Sequence, residues 1–112
     1  MLSFQKLDVY RCAIELLALA APISGRVPRG FSSLAEQLRR ASLSVPLNIA
    51  EAAGRTTDVD AARHYAIARG SAMECAAIID SLHVLSMVDD TERTNVLALI
   101  ARIVAMLTRL CR

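Results

Sequence analysis

Five polar side chains, Arg40, Ser44, Asn48, Glu51 and Arg55, follow one another at intervals of four, four, three and four residues. That spacing puts all five on one face of an α-helix. Arg63, Gly70, Ser71 and Glu74 form a counterpart further along the chain, where the bare Gly70 would let a neighbouring element come close. If the two stripes face each other, Glu51 and Glu74 should each find an arginine or amide, because an unpaired carboxylate between packed helices carries a heavy desolvation cost. Such a pairing could serve as a polar network that fixes helix register, as a recognition surface or ligand pocket, or as an acid/base centre on Glu51 and Glu74. The third use requires a cleft and a positioned substrate group, and the spacing supplies neither. No catalytic residue is therefore expected.

Metal chemistry finds little support in the pattern. Helical dimetal sites pair inward glutamates with two Glu-x-x-His steps, and only Asp80-Ser81-Leu82-His83 approaches one of these. His83 reads as an exposed or partly buried bundle residue, and His64, beside Arg63, as a solvated one. Cys12, Cys75 and Cys111 are odd in number, far apart and set among apolar neighbours, as expected of buried thiols in a reducing cytosol. No metal and no cofactor is expected, and the chain lacks a phosphate-cradling glycine loop, a nucleophile elbow and a metalloprotease helix.

Twelve of the thirteen basic residues are arginine, the side chain best shaped for bidentate contact with phosphate or carboxylate. Arg11, Arg26, Arg29, Arg39, Arg55, Arg63 and Arg69 are the candidate nucleic-acid contacts, with Arg40 adjoining them in the polar stripe. Against them stand eleven acidic residues, a net charge of only +2 and four aromatics, so base stacking is not expected to be the main mode. An oligomer would repeat a modest arginine patch and multiply its field.

These residues must be carried by helices, because apolar positions recur at helical spacing in four segments and nowhere alternate as in a strand. The reading is an all-α, antiparallel up-down-up-down four-helix bundle, one domain over residues 1–112. The first helix is expected from Asp8 to Ala21, with Pro22 and Gly25 ending it and a long loop running to Ser32. The second starts on the capping sequence Ser33-Leu34-Ala35-Glu36 and reaches Ala53, with a kink but no break at Pro46. The third spans Thr57 or Asp58 to about Ser86. The fourth begins at an Asp89 cap and carries two apolar stripes, Val96-Ile100-Ile103-Leu107-Leu110 and Leu97-Val104-Cys111. Two stripes imply two partners, so the fourth helix is the expected subunit interface. With 54% hydrophobic residues and a mean hydropathy of +0.40, a chain of this size has difficulty hiding its apolar surface alone. A homo-oligomer is expected, and no membrane span, since charged residues interrupt every apolar run.

The segment from Gln37 to Ala52, Gln-Leu-Arg-Arg-Ala-Ser-Leu-Ser-Val-Pro-Leu-Asn-Ile-Ala-Glu-Ala, resembles the signature of the bacterial four-helix-bundle proteins encoded by intervening sequences in 23S ribosomal RNA genes. Ala68-Arg69-Gly70-Ser71-Ala72-Met73-Glu74 is similar to that family's second motif, and Phe4, Leu7, Val9, Tyr10 and Ala13 fit its start. Two departures, Ala52 where the family commonly has Gly and Tyr10 where it has Trp, leave the fold intact. The resemblance implies a homopentamer of four-helix bundles. It also implies similarity to the accessory protein of diversity-generating retroelements, which binds a reverse transcriptase and nucleic acid. The expectation is a cytoplasmic, non-catalytic, homo-oligomeric protein contacting RNA or a nucleoprotein partner through arginine-bearing surfaces. The alternatives are a protein-interaction scaffold without nucleic acid and a reverse-transcriptase accessory protein.

Overall fold

The computed structural model describes all 112 residues and contains four long α-helices and no strand: α1 (Asp8–Gly25), α2 (Ser32–Ala53), α3 (Asp58–Val84) and α4 (Asp90–Leu110). Short 3-10 turns at Ser3–Lys6 and Arg29–Phe31 precede α1 and α2. α1 packs on α2 and α4, and α3 packs on the same two helices, with no contact across either diagonal. The core follows the apolar period: Leu16 and Ala20 of α1, Leu38, Val45 and Ile49 of α2, Ala72, Cys75 and Ile79 of α3, and Ile103 and Leu107 of α4 are fully enclosed.

Cross-helix hydrogen bonds tie the helices in register. Ser71 Oγ donates to Ser44 Oγ at 2.8 Å, and His64 Nδ1 lies 3.4 Å from Asn48 Oδ1. Between α3 and α4, Arg69 Nε donates to Thr108 Oγ1 at 2.8 Å and Arg93 Nε to Asp80 Oδ1 at 2.9 Å. In both pairs of helices the contacts advance along one helix as they retreat along the other.

Two boundaries differ from the sequence expectation, each for a local reason. α1 does not end at Ala21 but continues through Pro22 to Gly25. Pro22 removes one bond, to the carbonyl of exposed Ala18, whereas Ile23 extends the buried phase of Leu16 and Ala20 and is 1% exposed. Burying Ile23 outweighs one bond that water can replace. The loop expected from Pro22 to Ser32 accordingly shrinks to a few residues around the 3-10 turn. That turn also displaces the Ser33 cap: α2 starts at Ser32 with no side-chain cap, because the Ser32 amide donates to the Arg29 carbonyl and Phe31 to Pro28. Preformed backbone acceptors thus take the place of the serine hydroxyl. Pro46, buried, leaves α2 continuous to Ala53, as expected.

The α3 and α4 starts carry their caps, with Thr57 Oγ1 accepting from the Asp60 amide at 3.2 Å and Asp89 Oδ1 from the Glu92 amide at 2.8 Å. α3 ends in a Schellman motif: the Met87 amide donates to the Leu82 carbonyl at 2.8 Å and the Ser86 amide to His83 at 3.0 Å. Ser86 takes the left-handed position, φ 62°, where a β-carbon is disfavoured. Ser86→Gly is expected to raise stability by about 1 kcal/mol, read as a higher urea midpoint at unchanged slope.

Candidate functional site

The α2 and α3 stripes meet over only part of their length. Asn48 Nδ2 donates to the Ser44 carbonyl at 2.9 Å and to Ser44 Oγ at 3.0 Å, which turns its Oδ1 toward His64. An acceptor at that place favours the imidazole tautomer with its hydrogen on Nδ1. Ser44, Asn48, Ser71 and His64 therefore form a half-buried polar cluster between the helices, and His64 Nε2 is enclosed with no partner. His64 is thus not the solvated residue the sequence suggested. Its neighbour Arg63 is exposed, but His64 lies a further turn-step toward α2.

Arg40, Glu51, Arg55, Gly70 and Glu74 do not join this cluster. Glu51 and Glu74 are exposed, so neither faces the desolvation that would demand a cross-helix partner. Glu51 instead pairs with Arg55, which lies just past the end of α2, an exposed pair of small energetic weight. Glu74 has no ion-pair partner, and its charge together with burial pushes the Cys75 thiol up to about 12, burial being the larger cause. Such a thiol is a core residue and a poor nucleophile. Gly70 is exposed, and a β-carbon there would meet nothing within 4 Å, so the expected close approach does not occur within the chain. Gly70→Ala is expected to stabilise the protein by roughly 0.5–1 kcal/mol, measured as a raised midpoint in thermal melting.

The arginines are spread rather than gathered. Arg26 bonds to Glu92 and to the Met87 carbonyl at the end of the bundle, where His83 pairs with Asp90 at 2.6 Å beside a concavity of about 920 Å³. Arg39 pairs with Glu36, and Arg69 is held by Thr108. Arg29, Arg40 and Arg63 are exposed and free of carboxylates, on separate elements.

Arg11 is the exception. It lines a groove of about 480 Å³ between α1 and α4 together with Arg102 and Arg109, and none of the three has a carboxylate within ion-pair distance. Asp8 and Glu15 border the same groove from α1, while its α4 wall carries arginine as the only charge. Neither Arg102 nor Arg109 is among the contacts expected from the sequence. Their seven-residue spacing places both on one face, and the packing of α1 against that face brings Arg11 to them. No three of the His, Cys, Asp and Glu side chains form a group that could hold a metal ion, and no helix is long and apolar enough to cross a membrane.

Four helices, each packed on two neighbours, with a polar seam between α2 and α3 and an arginine-lined groove between α1 and α4, define the class as a helical-bundle protein. The chain belongs to the 23S rRNA-intervening sequence protein family, whose model matches residues 5–109. A search of curated proteins finds no match.

Proposed function

We propose that this chain is a non-catalytic, homo-oligomeric binding protein that contacts RNA, bare or within a nucleoprotein, through arginine-bearing surface. The observation that carries the reading is the convergence of Arg11, Arg102 and Arg109 on one open groove without carboxylate partners. Guanidinium groups left unpaired there are ready to exchange water and small counterions for phosphate. The family's description, which names an intervening sequence of 23S rRNA, agrees with an RNA context. The helices run up-down-up-down in this reading, as the opposed order of the α2–α3 and α3–α4 hydrogen bonds supports. The protein works in the cytoplasm, where three unpaired cysteines are at home. Five subunits, and a reverse transcriptase as the nucleoprotein partner, rest on the family resemblance alone.

A scaffold without nucleic acid is the second reading. It is favoured by a groove between α3 and α4 that is lined only by apolar side chains. The two readings separate in a titration of a labelled single-stranded RNA at rising salt. RNA contact predicts binding at low salt whose logarithm falls linearly with the logarithm of salt, by about 0.7 per phosphate neutralised. No binding at low salt leaves the scaffold reading, and binding indifferent to salt removes the arginine–phosphate contact.

A further inference from the structure

Two surfaces that the fold leaves open match each other in hydropathy and in the order of their charges. The first is the α3–α4 groove of about 470 Å³, lined by Met73, Ala76, Leu97, Ala101, Val104 and their apolar neighbours with no polar side chain among them. Its alanines leave room for inserted side chains. Arg69 and Asp80 stand on the α4-facing side of α3, where they bond to Thr108 and Arg93 of α4, and they lie to either end of the groove segment of α3. Arg69 is held by a neutral hydroxyl and a thioether and has no carboxylate.

The second surface is the outward face of α2. Leu43 and Leu47 follow at one-turn spacing and are 45% and 58% exposed. Arg40 precedes this pair and Glu51 follows it on the same face, both exposed. Arg40 and Glu51 are eleven residues apart, and so are Arg69 and Asp80. At 1.5 Å per residue each charge pair spans about 16 Å of helix.

We infer that α2 of one copy seats Leu43 and Leu47 in the α3–α4 groove of a second copy, with Glu51 meeting Arg69 and Arg40 meeting Asp80. The inference rests on the homo-oligomeric part of the function proposed above and names its contact. In this arrangement α2 runs opposite to the α3 that receives it, because only that direction matches both charges. The reverse direction sets Glu51 against Asp80 and Arg40 against Arg69, so the charges select orientation as well as partner. Glu51 gives up a weak exposed pair with Arg55 and gains an arginine beside an apolar groove, while Asp80 adds Arg40 to its exposed pair with Arg93. Donor and acceptor surfaces are different patches of one chain, so the contact is heterologous and each copy can both give and receive. The exposed charges of the α2 stripe thereby acquire a role that the chain alone does not provide.

A heterologous contact has a decisive mixing test. Leu47→Glu spoils the giving face and leaves the groove intact, whereas Ala101→Glu spoils the groove and leaves the face intact. Both positions are exposed, so circular dichroism should show native helix content and melting. Leu43→Glu and Ala105→Glu provide a second pair should either variant fold poorly. In sedimentation velocity the unaltered chain is expected above monomer mass, each variant alone at monomer mass, and an equimolar mixture at dimer mass, because one intact contact remains. Variants that keep the size of the unaltered chain overturn this contact and leave oligomerisation standing. Monomeric variants that fail to pair on mixing also overturn it and point to a two-fold contact or another occupant. An unaltered chain that is monomeric at every concentration overturns the contact and the homo-oligomeric reading together.

Discussion

Replacing Arg11, Arg102 and Arg109 together by glutamine is expected to abolish most of the salt-sensitive affinity for RNA. Three lost phosphate contacts at about 0.7 each reduce the slope of log affinity against log salt by about 2 for a single strand. At low salt, where that slope acts over the widest range, the affinity loss should be at least about tenfold. The fold should tolerate the change, since all three side chains are exposed and none holds an ion pair. Glutamine keeps part of the hydrogen-bonding capacity and removes the charge, and the slope with salt reports the electrostatic part. Arg39 and Arg55 supply the control: Arg39 already faces Glu36 and Arg55, just past the end of α2, already faces Glu51, and replacing both by glutamine should leave the slope nearly unchanged. Equal losses in the two variants would mean that RNA responds to overall charge rather than to the groove.

Leu38→Ala carries the largest expected effect on stability. Leu38 is fully enclosed in the first third of α2, within a single core cluster to which all four helices contribute. Truncation removes the transfer energy of its lost methyl and methylene groups and leaves a cavity that the helices close only in part, a combined loss of about 2–5 kcal/mol. Each kcal/mol corresponds to roughly 4–8 °C of melting temperature in a domain near this size. Chemical denaturation should show a lowered midpoint with an unchanged slope. A shift under about 1 kcal/mol would show that α2 packs more loosely than its burial indicates. If the protein is oligomeric, protein concentration must be matched between variants, because association adds its own stability.

The helices were legible because the apolar residues keep phase over long stretches. Leu38, Val45 and Ile49 hold their period across Pro46, and Asp89 and Thr57 announce their helices by side-chain chemistry that acts within three residues. The α1 end and the α2 start were misread because both depend on tertiary or backbone partners. Ile23 extends α1 by finding a place in the core, and the 3-10 turn offers carbonyls that make a serine cap unnecessary.

Of the polar stripe, the Ser44, Asn48 and Ser71 contacts were legible from spacing. The fate of Glu51 and Glu74 was not. A helical wheel places residues on a face, yet whether that face lies at the seam or just outside it depends on a few tens of degrees of helix rotation. Glu51 falls on the outer side, where Arg55 is nearer than anything on α3. His64 was missed for the same reason in the opposite sense. The arginine groove was the least visible feature, since Arg11 and Arg109 stand at opposite ends of the chain and meet only when α1 packs on α4.

In the function proposed above the chain acts by association, an oligomer holding RNA through arginine. Sedimentation velocity followed at the absorbance of a dye on a single-stranded RNA tests it most directly. At low salt the RNA is expected to sediment with a species heavier than one chain plus one RNA, and added salt is expected to return the RNA to its free rate while the protein oligomer persists. RNA that sediments as free strand at low salt alongside folded protein would contradict the account.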